Sequence, residues 1–211
     1  MSASQVRDFD SVAARWDLQP RRVELARAVS IALIREAQPD MTMRVLDFGC
    51  GTGLVTLGLA PLVREVIAAD SSQGMLEQLA GKLADAGISN VMPFLIPHDG
   101  AETLPKPVNL VVSSMTMHHI ADVSSLIKRF QNILTPGGQL GIADLDAEDG
   151  SFHDDPTGIE HHGFSSEEME HLFCEAGFCE VRTVRIMDVE KQRGSSIQRY
   201  RVNLTIGRRD D

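Results

Sequence analysis

The chain has 211 residues, of which 43% are hydrophobic and 24% are charged, and its formal net charge is −10. This composition is typical of a globular protein that is long enough to bury a full core. Because an acidic chain neutralises phosphates poorly, the charge argues against a nucleic acid or an anionic membrane surface as the partner.

Strands and helices alternate through the first two thirds of the chain. Apolar residues recur at helical spacing from Val23 to Ala37, and Pro39 ends this first predicted helix. Further helices are predicted at residues 54–62, 75–86 and 123–134. Short apolar strands are predicted at residues 45–48, 66–69, 91–96, 108–113 and 139–145. The alternation predicts right-handed βαβ units on a parallel sheet.

The last third has a different pattern. Ser165 and Glu168 have the spacing of a capping box, which predicts a helix over residues 167–176. Two strands are predicted at residues 181–189 and 197–206, joined by a Gly-Ser-Ser turn, and together they form an antiparallel hairpin. The residues alone therefore predict five parallel strands followed by a hairpin.

A glycine-rich turn follows the first predicted strand. Three glycines stand at alternate positions, Gly49, Gly51 and Gly53, and Asp47 precedes the first of them by two residues. The dinucleotide fingerprint G-x-G-x-x-G would place its third glycine at Leu54, so the spacing is wrong for that ligand. The pattern D-x-G-x-G-x-G instead resembles motif I of the class I S-adenosylmethionine (SAM)-dependent methyltransferases.

The resemblance implies a fold and a domain plan. The fold is α/β: a Rossmann-like, doubly wound, seven-stranded and mainly parallel sheet with a C-terminal antiparallel hairpin. Residues 1–211 would form a single domain. Within it we expect an N-terminal helical lid at 1–40, a SAM-binding core at 41–146, and a substrate loop, helix and hairpin at 147–211.

The resemblance also assigns acidic residues to parts of the cofactor. Asp47 would accept a hydrogen bond from the ammonium group, and Asp70, at the end of the second strand, would bind the ribose hydroxyls. Asp99 would hold the adenine amino group, with Gly100 and Ala101 along the ring. An Asp-Gly pair is also a common turn, which is the alternative for Asp99.

Other cofactor contacts are expected around these acids. They are Trp16, Cys50, Ser71, Met75, Ser113 and Ser114. Trp16 belongs to an N-terminal segment that resembles the lid of the small-molecule branch, where it would either cap the cofactor or pack on the sheet. Cys50 is near the cofactor by position, but a buried thiol between glycines is usually a core filler, and we assign it no chemistry.

A pair of histidines follows the fourth strand. The stretch Met-His-His-Ile containing His118 and His119 resembles the Leu-His-His segment of a branch that includes the quinone-biosynthesis methyltransferases. A histidine facing the methyl group can take a proton from the acceptor. Because neighbouring side chains of an extended segment point in opposite directions, we expect His118 to face the pocket and His119 to brace the loop. The alternative is that both brace it.

The loop at residues 152–163 contains three histidines and several acids. A metal site is one interpretation. We favour a polar loop over the substrate pocket, without a metal, because methyl transfer requires none.

The predicted activity is transfer of a methyl group from SAM to a nitrogen or oxygen of a small molecule, with S-adenosylhomocysteine (SAH) as product. Residues 113–115 lack the Pro-Pro-aromatic and Pro-Cys signatures of nucleic-acid methyltransferases. The alternatives are a non-catalytic SAM-binding regulatory module and an NAD-dependent oxidoreductase. No signal peptide or long apolar run is visible, so we expect a cytoplasmic protein without membrane insertion. The oligomeric state stays open.

Overall fold

A computed structural model of the chain describes residues 7–97 and 104–210. It contains a seven-stranded sheet with the strand order β3-β2-β1-β4-β5-β7-β6. The strands are β1 Arg44–Phe48, β2 Glu65–Asp70, β3 Val91–Leu95, β4 Val108–Ser114, β5 Leu134–Leu145, β6 Phe178–Arg193 and β7 Ser196–Arg209. The first five strands are parallel, and β7 runs antiparallel between β5 and β6. The predicted fold class is confirmed.

Helices cover both faces of the sheet. They are α1 Pro20–Ala37, α2 Leu54–Leu59, α3 Gln73–Ala86, α4 Val123–Ile133 and α5 Ser166–Glu175. Successive residues of β1 enter different cores: Val45 packs with α1, α2 and α3, and Leu46 packs with α4 and α5. This alternation follows from the pleat of a strand that is buried on both faces. No helix in the described part of the chain is long and apolar enough to cross a membrane.

The helix caps agree with the sequence. The hydroxyl of Ser72 accepts a hydrogen bond from the Met75 N–H at the start of α3, and Gly87 ends that helix with a φ of 63°. Asp122 and Ser165 cap α4 and α5 in the same manner. The caps fix where each helix begins above the sheet, and therefore which backbone groups reach the cavity described below.

Two elements differ from the prediction. The fifth strand begins at Leu134 rather than at residue 139, because Val108 pairs with Leu134 while Leu110 pairs with Gln139. The Pro-Gly-Gly sequence at residues 136–138, which is typical of a turn, thus lies at an irregularity within β5, and β4 pairs with β5 on both sides of it. The hairpin strands are also longer than predicted, and β6 and β7 pair from Phe178 as far as Arg193.

The N-terminal segment is a 3₁₀ helix, Asp10–Leu18, held across the glycine turn. Asp10 Oδ1 accepts a hydrogen bond from the Gly74 N–H at 2.8 Å, in the first turn of α3. Asp17 Oδ1 accepts from the Thr52 hydroxyl at 2.6 Å. The segment is therefore attached at both ends to elements that surround the carboxyl edge of the sheet.

Candidate active site

A cavity of about 860 Å³ lies at the carboxyl ends of the parallel strands, where open α/β sheets bind ligands. Most of the predicted site residues line it: Trp16, Asp47, Gly49, Cys50, Gly51, Asp70, Ser71, Met75, Ser114, His118 and His119. Asp99, Gly100 and Ala101 lie outside the described residues. The glycine turn, the acids Asp47 and Asp70, and both histidines therefore lie around one cavity.

Two predicted contacts, Gly53 and Ser113, are not part of the cavity wall. Gly53 has a φ of 82°, and a Cβ there would lie 2.3 Å from Leu79 Cδ1. The Ser113 hydroxyl donates to the Phe48 carbonyl at 2.8 Å and is fully buried. Gly53 thus shapes the turn and Ser113 joins β4 to the end of β1, and the contact of either residue with a ligand stays a prediction.

The other glycines of the turn have distinct roles. A Cβ on Gly49 would lie 2.3 Å from the Thr116 hydroxyl oxygen, so this glycine allows the turn to pack against the segment after β4. Gly51 has a φ of 55°, and a Cβ there would meet no described atom within 4 Å. The bare backbone at Gly51 thus opens onto the cavity and leaves room for a ligand.

Asp47 is a buried acid at the floor of the turn. Its side chain accepts a hydrogen bond from the Thr56 hydroxyl at 2.5 Å. Burial raises the pKa of Asp47 to about 7; the bond from Thr56 opposes the shift, and the charge of Asp70 adds to it. Among the described residues no cation pairs with Asp47, so a ligand ammonium would satisfy it.

Asp70 connects the end of β2 to the glycine turn. Its Oδ2 accepts from the Gly51 N–H at 2.7 Å, and its Oδ1 accepts from the Ser72 N–H at 2.9 Å. Burial raises the pKa of Asp70, and the backbone hydrogen bonds oppose this shift. Each carboxylate oxygen has a further lone pair, so Asp70 can also accept from the hydroxyl groups of a ligand.

Both histidines of the pair face the cavity, which the sequence did not predict. They lie in a 3₁₀ turn, Met117–His119, so the alternation of an extended segment does not apply. Their ring centroids are 4.2 Å apart, and the His118 ring is 4.9 Å from that of His153. Within the described residues, no group of three or more His, Cys, Asp or Glu side chains has an arrangement that would hold a metal ion.

His118 is paired with Asp144, a residue that the sequence analysis missed. The His118 Nδ1 and Asp144 Oδ1 are 2.6 Å apart, and both side chains are buried. Burial opposes ionisation of Asp144, but His118 and the Leu145 N–H lower its pKa below the ordinary value. Asp144 therefore fixes the orientation of the His118 ring, and when Nδ1–H of the neutral ring donates to Asp144, Nε2 carries the free lone pair. The sequence feature that could have indicated Asp144 is its position as a single acid near the end of an apolar predicted strand.

The other two imidazoles are uncharged at neutral pH. Burial and the neighbouring His118 lower the pKa of His119 to about 4, although His119 Nδ1 donates to the Gly158 carbonyl at 2.7 Å. Burial, His118 and His119 lower the pKa of His153 to about 3. His153 Nε2 is buried and has no hydrogen-bond partner in the described structure.

Trp16 covers one side of the cavity together with an arginine that the motif did not reveal. The Arg22 guanidinium lies 3.6 Å from the centre of the Trp16 ring and donates to the Trp16 carbonyl at 3.3 Å. Phe9 meets the same ring edge-on, with the centroids 6.0 Å apart. The aromatic side chain thus lines the cavity and orients a cation that can bind a ligand carboxylate.

The sequence of this chain matches known methyltransferases. Residues 20–183 match a family model described as a methyltransferase domain. An uncharacterized methyltransferase of Schizosaccharomyces pombe is 30% identical over 157 residues, 67% of this chain and 55% of that protein. A ubiquinone/menaquinone biosynthesis C-methyltransferase of Shewanella frigidimarina is 30% identical over 150 residues, 65% and 57% of the two chains. An Escherichia coli tRNA 5-carboxymethoxyuridine methyltransferase is 27% identical over 146 residues, 65% and 56%.

Solved structures share the fold. A chain from the complex of the Haloferax volcanii Trm112 methyltransferase activator with a methyltransferase superposes with a TM-score of 0.77 at 19% identity, covering 98% of this chain and 100% of that one. The Haemonchus contortus phosphoethanolamine N-methyltransferase 2, in complex with SAH and phosphomonomethylethanolamine, gives 0.71 at 15% identity, covering 98% and 61%. This chain spans little more than half the length of the curated relatives that it matches. The family match over residues 20–183 shows that the chain belongs to the methyltransferase-domain family.

Proposed function

We propose that the chain is a SAM-dependent methyltransferase that methylates a nitrogen or oxygen of a small molecule and releases SAH. The observation that carries this proposal is the pair of buried acids, Asp47 and Asp70, beside the open backbone of Gly51. An ammonium on Asp47 and ribose hydroxyls on Asp70 would satisfy acids that burial otherwise penalises. Arg22, stacked on Trp16, would bind the carboxylate of the same ligand.

The residues on the acceptor side have separate tasks. When bound, SAM supplies a methyl group on a positively charged sulfur. The walls of the cavity hold the acceptor in line and exclude water. His118 Nε2 takes the proton that the acceptor loses, while Asp144 stabilises the charge that the ring gains. The lowered pKa of His119, about 4, makes its ring a weak proton acceptor at neutral pH.

A small-molecule acceptor is supported by a cavity of about 860 Å³ at the carboxyl ends of the strands and by the formal net charge of −10. The relative that methylates a tRNA nucleoside makes RNA the main rival. The relative from ubiquinone/menaquinone biosynthesis is a C-methyltransferase, so a carbon atom of the acceptor is the alternative to nitrogen or oxygen. The expected activity is therefore tested with amine, phenol and quinol acceptors, and with tRNA in parallel.

Calorimetric titration with SAH tests the cofactor site, and production of SAH from SAM across the acceptor panel tests turnover. We expect Asp70→Ala to weaken SAH binding by about 1–3 kcal/mol, since a charged hydrogen-bond partner is lost. Asp85→Ala, an exposed acid on α3, is the matched control and should bind normally. No SAH binding at millimolar concentration, or a stronger response to NAD, would contradict the proposal. Binding without turnover of any acceptor would indicate a regulatory module.

A further inference from the structure

Cations gather at one end of the cavity although the whole chain is acidic. Four basic side chains line this end, Arg7, Arg21, Arg22 and Lys191, and Arg193 lies beside them. They come from the N-terminal segment, the start of α1 and the end of β6, so they are far apart in the sequence. A chain with a formal net charge of −10 thus concentrates positive charge around one part of its cavity.

Lys191 is a largely enclosed cation. Its side chain is only 9% exposed, its Nζ lies 4.2 Å from the centre of the Phe152 ring, and it donates to the Phe152 carbonyl. The nearest carboxylate oxygen, on Asp154, is 4.0 Å away. Burial lowers the pKa of Lys191 to about 8; Asp154 opposes the shift, and Arg21 and Arg193 add to it. The ammonium is thus held among like charges.

Arg21 occupies a position that is unfavourable for its charge. It lies in the first turn of α1, where the helix dipole favours acids, and that turn contains no acid. In the described part of the chain, no carboxylate lies within ion-pair distance of Arg21. A residue type that destabilises its own helix, such as Arg21 in this turn, is expected at functional positions.

The acids at this end do not balance the cations. Asp154 is 77% exposed and forms an ion pair with Arg193. The bond from Arg193 and the charges of Lys191 and Arg21 lower the pKa of Asp154, so one exposed carboxylate serves three cations. Asp155 is exposed as well. The positive charge of Arg21 and Lys191 is therefore largely available to a ligand.

The contacts of Lys191 place it on the acceptor side. Lys191 covers Phe152, whose ring meets His153 with centroids 4.8 Å apart, and His153 contacts His118. Arg22 is stacked on Trp16 and lies close enough to Lys191 to lower its pKa. His153 also offers a buried Nε2 that lacks a partner among the described residues.

From this placement we propose that Arg21 and Lys191 form an oxyanion subsite that holds a carboxylate or phosphate group of the acceptor. The proposal rests on the proposed methyltransferase function and narrows its acceptor to an anionic small molecule. The anion would complete the pairing of two cations that the protein leaves uncompensated. Its place beside the three imidazoles would orient the nucleophilic atom toward His118.

Benzoate, phenyl phosphate and neutral benzamide are the probes for this subsite, titrated calorimetrically into the free and the SAH-saturated protein. We expect at least one anion to bind about tenfold more tightly than benzamide, as a charge-assisted hydrogen bond predicts. Preference for benzoate or for phenyl phosphate identifies the carboxylate or the phosphate as the recognised group. Equal binding of all three probes would overturn the proposal.

Variants then assign the effect to the two cations. Lys191→Met and Arg21→Met should each weaken the anion severalfold and leave SAH affinity within twofold, while Lys191→Arg retains binding. Arg21→Met should also raise the melting temperature, because it removes a cation from a helix N-terminus. The matched controls are Arg27→Met on α1 and Arg199→Met on β7, both exposed, and they should not change anion affinity. Unchanged anion binding in both cavity variants would contradict the assignment.

The outcomes separate this inference from the proposed function. Anion binding that depends on Lys191, in a protein that does not bind SAH, would support the subsite and exclude the methyltransferase proposal. SAH binding without any preference for anions would support the cofactor site of the methyltransferase proposal and exclude the anion subsite. Displacement of bound phenyl phosphate by unfractionated tRNA, at equal phosphate concentration, would show that the cations serve RNA and would overturn the small-molecule subsite.

Discussion

Two buried acids, Asp47 and Asp144, have opposite pKa shifts because their partners differ. Asp47 and Asp144 are both buried, yet the pKa of Asp47 is raised to about 7 and that of Asp144 is lowered. The difference comes from His118, which faces Asp144, whereas no described cation faces Asp47. One acid is thus ready to receive a cationic ligand, and the other already orients a histidine.

The state of Asp47 makes cofactor binding dependent on pH. In the proposed function the ammonium of SAH would bind the ionised carboxylate of Asp47, and a group with a pKa of about 7 is mostly protonated at pH 6. Affinity should therefore rise about five- to tenfold between pH 6 and 7.5, with release of a proton. Calorimetry in buffers of different ionisation enthalpy measures both quantities. Asp47→Asn should bind more weakly and without this pH dependence; equal wild-type affinity at the two pH values would refute the assignment.

The His118–Asp144 pair predicts a split between turnover and binding. His118→Ala should lower kcat by about 10²–10⁴-fold, the usual contribution of a general base, with SAH affinity little changed. Asp144→Asn keeps the shape of the side chain and removes its charge, so the pH profile of kcat should shift. His119→Ala should mainly lower the melting temperature, and the exposed His171→Ala serves as control. Full turnover in both His118 and His119 variants would leave positioning as the whole mechanism.

At the scale of elements, local chemistry predicted most of the fold. The capping-box spacing of Ser165 predicted the start of α5, and β1 was predicted as an apolar run before the glycines. The N-terminal 3₁₀ helix was not predicted as an element, because it has no 3.6-residue period and is held by contacts from Asp10 and Asp17 to distant residues. Such contacts exist only after folding, and the same holds for the additional residues of β5, which pair with β4, and of β6, which pair with β7.

The glycine turn and helix α3 offer a comparison of two glycines, Gly51 and Gly81, at which an added Cβ would meet no described atom within 4 Å. Gly51→Val should reduce SAH affinity by more than tenfold, because the side chain enters the cavity and a β-branched residue is strained at a φ of 55°. Gly81→Ala, in the interior of α3 with no atom within 4 Å of the added Cβ, should stabilise the protein by about 0.5–1 kcal/mol. It should leave SAH affinity unchanged. Normal SAH binding by Gly51→Val would exclude the turn as the cofactor site.

At the scale of the whole molecule, the net negative charge gave no indication that cations cluster at one end of the cavity. Motif positions predicted the glycine turn and the histidine pair, which are continuous in sequence. Arg21 and Lys191, in α1 and β6, line one cavity only because the fold brings these distant segments together, and Asp144, in β5, reaches His118 in the same way. No short-range pattern marks a site that is assembled from distant segments, so this part of the pocket required the structure.

The same distribution of charge predicts weak interaction with nucleic acids. Binding to DNA or RNA of general sequence requires cations along an exposed surface, and each phosphate that they neutralise adds to the salt dependence. Here the clustered cations face a cavity, and the formal net charge of −10 repels a polyanion. Fluorescence anisotropy with labelled duplex DNA and tRNA should therefore show no affinity that falls with added salt. Micromolar binding at physiological salt, lost on raising the salt and weakened by Lys191→Met, would contradict this prediction and place RNA at the cavity mouth.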